Sequence, residues 1–301
     1  MRIFLLGNGN KEGVKEEAKR LKPFLEKYAE IAVFDLWQQH DLNQEADLAL
    51  VLGGDGAILR AARQMGYQQK PVLGVNLGKL GFLADLNPDE LESYFPSVAR
   101  GEYRVVYHLM FECTIESKGS DATHVTTPAP ILGLNEVAIQ AGYPFHMIDL
   151  DLCVNDEPVS RISGDGLIVS TPIGSTAHNL SAGGPILGQE LSAFVITPIC
   201  PHSLTNRPVV DSADKSYTID VVDGGSSSAL VIDGQEIIPL QSGDHITVRK
   251  APVSFALVKV PGRSYYQTLR DKLHWGTQPN YRREPLPKSS RNTDQPGSME
   301  S

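Results

Sequence analysis

Leu48-Ala49-Leu50-Val51-Leu52-Gly53-Gly54-Asp55-Gly56-Ala57-Ile58 is the stretch on which the reading of this chain turns. An unbroken apolar run, as at 48–52, suits a strand covered on both faces. The glycine turn that follows leads into Ile58, Ala62 and Met65, whose spacing predicts a helix with one buried face. The flanking sequence repeats this step. Residues 3–6 form a short apolar run closed by Gly7-Asn8-Gly9-Asn10. Val14, Ala18, Leu21 and Leu25 then recur at helical spacing through 11–28, where Pro23 should kink or break the helix. Residues 31–36 and 71–75 read as strands, and 89–100 as a helix with Pro88 near its start. This βαβα order predicts a Rossmann-like parallel sheet with helices on both faces.

From Tyr103 the texture changes to many short strands. Residues 105–116 alternate loosely with no helix after them. Strands are expected at 148–154, 158–162, 167–170, 193–199, 217–222, 229–232, 245–248 and 255–260. Asn155-Asp156-Glu157, Asp223-Gly224 and Asp233-Gly234 mark hairpin turns. The pattern suggests a sandwich-like, β-rich domain, interrupted by one helix starting near Ser175. The expected division is an α/β N-terminal domain over 1–104 and a β-rich, ligand-binding domain over 105–262. A final helix at 265–275 is expected to return to the first domain, bringing 263–276 with it. Residues 277–301, rich in Pro, Ser, Arg and Asn, read as a disordered tail.

The 301 residues suffice for two such cores. A net charge of −9 argues against a nucleic-acid partner, which favours a basic face. Small anions remain open, because backbone dipoles bind them locally. Cys113, Cys153 and Cys200 are widely spaced and odd in number, which fits a reducing cytoplasm better than a disulfide framework or a zinc site. No signal peptide or membrane-spanning run is read, so no membrane partner is expected.

Four motifs could carry chemistry. In Gly53-Gly54-Asp55-Gly56, glycines admit a phosphate to a helix N-terminus, while Asp55 could take a proton from a hydroxyl nucleophile or hold Mg²⁺. The alternative is a tight turn with Asp55 as helix N-cap. Asn135-Glu136 could read an adenine edge and a ribose diol, or could be two exposed polar residues on a strand edge. The longest motif runs Ser163-Gly164-Asp165-Gly166, then a strand, then 171–185. Within it Ser175 and Thr176 fit the cap of a helix facing an anion, Ala177 admits a flat ring, and Gly183-Gly184-Pro185 ends the helix. Asp233-Gly234-Gln235 is satisfied by the hairpin reading alone. The segment 7–13 is not GxGxxG, the segment 74–80 is one residue short of a P-loop, and the eight histidines show no metal spacing.

Together and in this order, these motifs resemble the NAD kinase family, from Ile3 to about Gly276. The resemblance extends to Asn76-Leu77-Gly78-Lys79-Leu80-Gly81-Phe82-Leu83, Cys200-Pro201-His202-Ser203-Leu204 and 269–276. It implies transfer of the γ-phosphate of ATP to the 2′-hydroxyl of the NAD adenosine ribose, with a divalent cation (Mg²⁺) and a homo-oligomer, dimer or tetramer. On this resemblance Asp55 is the general base, Gly56 contacts NAD beside it, and Gly53 and Gly54 hold ATP phosphates. Asn135 and Glu136 contact the adenosine. His146, Asp165, Thr176, Ala177, His178, Asn179, Leu180, Ser181 and Gln235 line the NAD site, some of them from a neighbouring subunit. The family usually has Tyr where this chain has His178, a smaller ring that titrates near neutral pH. Some members carry Arg-Ser where this chain has Ser163-Gly164. A lipid kinase of the diacylglycerol or sphingosine type would share the glycine–aspartate turn, and a non-catalytic nucleotide sensor would share the binding residues. Neither needs the whole set.

Overall fold

Strand β3 (Leu48–Leu52) lies at the centre of a parallel sheet and is buried on both faces. Leu48, Leu50 and Leu52 pack to one side, Ala49 and Val51 to the other. The structure, a computed structural model, describes residues 1–78, 81–84, 86–117, 129–225, 227–261 and 264–276. The first part runs β1 (Arg2–Gly7), α1 (Val14–Leu25), β2 (Glu30–Asp35), β3, α2 (Asp55–Met65), β4 (Val72–Val75) and α3 (Pro88–Ala99). Its strands lie in the order β2-β1-β3-β4, all parallel. Val14, Ala18, Leu21 and Leu25 of α1 join Leu91 and Phe95 of α3 on one face, and Ile58, Ala62 and Met65 of α2 cover the other. Pro23 falls inside the last turn of α1, which ends at Leu25 rather than continuing to 28. The Asn87 side chain accepts the Glu90 N–H while Glu90 accepts the Asn87 N–H, a reciprocal cap that fixes the start of α3.

The remainder comprises β5 (Arg104–Ser117), β6 (Ile131–Gly133), β7 (Glu136–Gln140), β8 (Ile148–Val154), β9 (Glu157–Gly164), β10 (Gly166–Ser170), a short α4 (His178–Ser181), β11 (Ala193–Ile199), β12 (Val209–Ser212), β13 (Tyr217–Asp223), β14 (Ala229–Ile232), β15 (Glu236–Pro239) and β16 (Asp244–Lys259). One antiparallel sheet has the order β12-β11-β10-β7-β14-β15. It faces β16, β13, β8 and β9 across a shared core that includes Phe111, Ile139, Val169, Phe194, Tyr217, Ile219 and Leu230. The sandwich expectation therefore holds.

The strands expected at 245–248 and 255–260 are one strand. Arg249, Lys250 and Pro252 interrupt the apolar pattern, but the chain passes them in a register shift against β5 between Lys250 and Ser254, the place in a sheet that tolerates Pro. Before the shift β16 pairs with β13 and β5. After it, β16 pairs with β5 and lies parallel to β4, Leu257 opposite Val72. One sheet thus runs from the parallel half into the sandwich, and β5 begins at Arg104. The chain divides into two compact units at 262/263. Of the second, α5 (Tyr265–Leu273) is described, with Ser264 capping the Gln267 N–H at 3.2 Å. The expected tail at 277–301 lies outside the described residues.

Candidate active site

The strand order reverses direction between β1 and β3, and in open α/β sheets ligands collect outside the carboxyl ends of the strands at such a point. The glycine–aspartate turn sits there. Gly54 is the N-cap of α2 and Asp55 its first residue, so Asp55 is not the cap, and no side-chain cap is made. The Asp55 carboxylate instead turns to the segment after β4. Its Oδ2 accepts the Phe82 N–H and its Oδ1 the Leu83 N–H, both at 2.9 Å. Gly81 makes this possible, since a Cβ there would stand 1.9 Å from Asp55 Oδ1. The carboxylate is half-buried and held from two sides by backbone.

Strand β7 supplies the second part. Val137 and Ile139 point into the sandwich core, so Glu136, Ala138 and Gln140 share the opposite face. Glu136 is only 5% exposed, which excludes a strand edge with two exposed polar groups. Burial first, then repulsion from Asp233, pushes its carboxyl up to about 8; the His178 backbone N–H opposes this. Its Oε2 is buried without a hydrogen-bond partner. The backbone before it is pinned by Asp233, whose carboxylate accepts the N–H groups of Leu134, Asn135 and Glu136 at 2.7–3.2 Å. Burial pushes Asp233 upward as well, against those three bonds and the Arg63 charge.

The turn that carries Asp233 also reaches α2. Gln235 Nε2 donates to the Gly56 carbonyl at 2.9 Å, and Arg63 Nη2 donates to Gln235 Oε1 at 2.7 Å. One short turn thereby ties Asn135-Glu136 to the helix that begins with Asp55. Asp233-Gly234 forms the hairpin turn that its residue types predict, with both residues at positive φ. That reading already accounts for both residue types, so nothing local reports the side chain's second task. Arg63 carried no sequence signal.

The expected helix from Ser175 is not formed as such. A 3₁₀ turn, Gly174–Thr176, precedes the four-residue α4. Ser175 Oγ donates to the Pro172 carbonyl at 2.6 Å and accepts the Leu187 N–H at 3.0 Å, and Thr176 Oγ1 donates to the Ile173 carbonyl at 3.1 Å. Neither caps a helix. Asn179 is fully buried: Nδ2 donates to the Ser175 and Pro185 carbonyls and Oδ1 accepts from Thr197 Oγ1. These local bonds compete with a continuing helix. A Cβ on Gly174 would lie 2.1 Å from the Asn135 carbonyl oxygen, so the turn rests directly on the Asn135 backbone.

The predicted residues therefore form a row. Asp55, Gly56, Gln235, Asn135 and Glu136 are linked at one end. His178 follows, its N–H on Glu136 and its ring 3.4 Å from Gln140 Nε2. Thr176 and Ala177 lie just before it, Leu180 and Ser181 just after, with Ser181 exposed. Asp165, exposed, sits past the far end of β7, its carbonyl accepting the Ala141 N–H at 2.8 Å. The Cys200 thiol lies beside its carboxylate, whose charge and acceptor oxygens favour the protonated thiol and push it up. His146 is apart from this row, exposed on the following loop with Tyr143, Phe145 and Met147. Ser163 donates to Asp149. At roughly 3.3 Å per residue, β7 gives the row a length of about 13 Å, the scale of an extended dinucleotide. Among the described residues no group of three His, Cys, Asp or Glu side chains could hold a metal ion, and both Asp55 oxygens accept backbone N–H groups.

Comparison with known proteins gives consistent matches. The model for the ATP-NAD kinase N-terminal domain matches residues 5–103, and that for the ATP-NAD kinase C-terminal domain matches 134–260. An NAD kinase of Rhodopirellula baltica is 46% identical over 275 residues, covering 91% of this chain and 86% of that protein. One of Syntrophotalea carbinolica is 39% identical over 259 residues, covering 85% and 89%. An NAD kinase from Archaeoglobus fulgidus in complex with ATP superposes with a TM-score of 0.67 at 28% identity, over 91% of this chain and 99% of that one. Yeast NADH kinase complexed with NADH shares the fold at a TM-score of 0.80 and 23% identity, over 92% and 88%.

Proposed function

The chain belongs to the ATP-NAD kinase family, and on that premise we propose that it moves the γ-phosphoryl group of ATP to the 2′-hydroxyl of the NAD adenosine ribose, giving NADP and ADP. The observation that carries the assignment to residues is the tie between Asp55 and Asn135-Glu136 through the 233–235 turn. That tie supports a reading in which the Asp55 carboxylate works with groups suited to a ribose diol and an adenine edge.

Phosphoryl transfer asks the protein mainly for positioning and charge neutralisation. Asp55 accepts the proton of the 2′-hydroxyl as the new P–O bond forms. Its bonds to Phe82 and Leu83 fix its direction and leave lone pairs for that proton. Gly53 and Gly54 admit the donor phosphates to the N-terminus of α2, where helix N–H groups lack intrahelical partners. ATP enters as its Mg²⁺ complex, the metal neutralising phosphate charge and belonging to the substrate. Glu136 and Asn135 take the adenosine. His178 presents its ring over the face of β7, with Thr176, Ala177, Leu180 and Ser181 beside it and Asp165 and His146 beyond. Gln235 and Asn179 act at this site by holding its walls, since their side chains already bond to protein.

We place the enzyme in the cytoplasm, on three cysteines without disulfide partners. Among the described residues no helix is long and apolar enough to cross a membrane. We also infer a homo-oligomer, supported by the exposed Tyr143, Phe145 and Met147 around His146. The deciding experiment is incubation with ATP, Mg²⁺ and NAD, read with an NADP-specific dehydrogenase. ATP-dependent NADP formation is expected. Its absence, with phosphorylation of a diacylglycerol instead, would overturn the assignment.

A further inference from the structure

Two carboxyl groups are buried together behind the row of site residues. Asp233 and Glu136 are each 5% exposed, and repulsion between them adds to the burial that raises Glu136. Their hydrogen bonds differ. Asp233 accepts N–H groups on both oxygens, from Leu134, Asn135 and Glu136. Glu136 Oε2 has no partner, and the hydroxyl of Ser170, opposite Glu136 on β10, donates to the Asn135 and Thr171 carbonyls instead.

Arg63 brings a cation to this pair from α2. Its Nη2 donates to Gln235 Oε1 at 2.7 Å, and Nη1 is enclosed with no hydrogen-bond partner. Gln235 thus holds the guanidinium in place, and its charge opposes the effect of burial on Asp233. Arginine keeps that charge at any working pH. The charged groups facing Asp233 are Arg63 from α2 and Glu136 from β7; His178 offers Glu136 its backbone N–H and turns its ring to Gln140. Two acids and one cation balance when a single proton stays with the pair. Glu136, with an unmatched oxygen, is the acid that keeps it, and Asp233 is the one that gives it up.

We propose that Arg63 is a positioning residue for NAD: its fixed charge keeps Asp233 a carboxylate, and that carboxylate holds the 134–136 backbone in the form that takes the adenosine. This rests on the kinase reading above and deepens it.

Arg63→Gln removes the charge and keeps a donor for Gln235. A nearby opposite charge moves a carboxyl by about one to three pH units, so Asp233 should take up its proton at higher pH. From about pH 8 down to about pH 6, the KM for NAD of Arg63→Gln should climb about tenfold more than that of wild type. The KM for ATP should keep the wild-type profile, and Arg63→Lys should restore the NAD profile. In the Asp233→Asn background, where the group cannot titrate, Arg63→Gln should add no pH dependence. A role confined to packing or to the Gln235 bond would instead change the KM alike at every pH. Superimposable NAD profiles for wild type and Arg63→Gln, or a shift that survives in Asp233→Asn, would overturn the proposal.

If the wild type makes no NADP, the kinase reading fails, and thermal unfolding still judges Arg63. Asp233 lies above its unfolded value, so its contribution to stability is lost as pH rises through the folded value. Without Arg63 that loss runs to higher pH. Arg63→Gln should therefore melt further below wild type as pH rises, and Asp233→Asn should erase the difference; parallel melting curves would overturn the proposal. If Arg63→Gln does not fold by circular dichroism, the doubly neutral Asp233→Asn/Arg63→Gln variant should fold, because no buried charge is left uncompensated. Failure of both would overturn it as well.

Discussion

Replacing Gly81 with alanine drives a methyl group into the Asp55 carboxylate. The new Cβ would lie 1.9 Å from Oδ1 and 2.7 Å from Cγ, well inside contact distance. Either the carboxylate swings away or the 81–83 backbone retreats, and both break the 2.9 Å bonds from Phe82 and Leu83. The displacement needed is more than about 1 Å, a misplacement that can cost about 10²-fold in rate. Loss of the base altogether is worth about 10²–10⁴. Gly81→Ala should therefore lower kcat about 10²-fold or more, towards the value of Asp55→Asn, while NAD binding measured by calorimetry persists. The double variant is the sharper test, because two lesions of one device do not add. Gly81→Ala in the Asp55→Asn background should change kcat by less than about threefold. A Gly81→Ala enzyme with wild-type kcat, or a double variant slower by the product of the two losses, would refute the reasoning.

Three further outcomes follow from the same geometry. Glu136 has its folded value raised to about 8 from 4.5, so its contribution to stability is full below 4.5 and lost as pH rises through about 8. Denaturant unfolding should show wild type weakening across that window and Glu136→Gln weakening less; parallel curves would contradict the burial argument. Asp233→Ala strips the acceptor from three backbone N–H groups and should cost about 3 kcal/mol of unfolding free energy, with a raised KM for NAD. A loss under about 0.5 kcal/mol would mean the turn is held by other bonds. Gln235→Ala removes the bridge between Gly56 and Arg63 and should raise the KM for NAD several-fold more than the KM for ATP. Equal effects on both substrates would count against a role on the NAD side.

Local pattern was enough for the parallel half. The run at 48–52 is β3 to the residue, because a strand covered on both faces leaves no ambiguity of phase. The second half was harder. β16 reads as two strands because Arg249, Lys250 and Pro252 break its pattern, and only pairing with β5, more than a hundred residues earlier, carries the strand through. β6, β7, β12 and β15 have no counterpart among the expected strands, three to five residues being too few to show a period. At the site, Asp55, Asn135 and Glu136 were legible as motif. The helix expected from Ser175 is broken into a 3₁₀ turn and the four-residue α4, since Asn179 and Ser175 bond their side chains to nearby carbonyls. Asp233 and Arg63 work through partners distant in sequence, which no window of neighbours can reveal.

The strand that begins inside the sandwich and finishes alongside β4 also has a mechanical consequence. Enzymes that close by swinging one lobe need a few residues able to absorb the rotation. Here the register shift between Lys250 and Ser254 is the flexure that β16 offers, and β5 pairs with the strand on both sides of it. On the proposed assignment, with the 233–235 turn also tying Asn135-Glu136 to Gly56, admission of two nucleotides would fall to small displacements of the turns around Asp55 and Glu136.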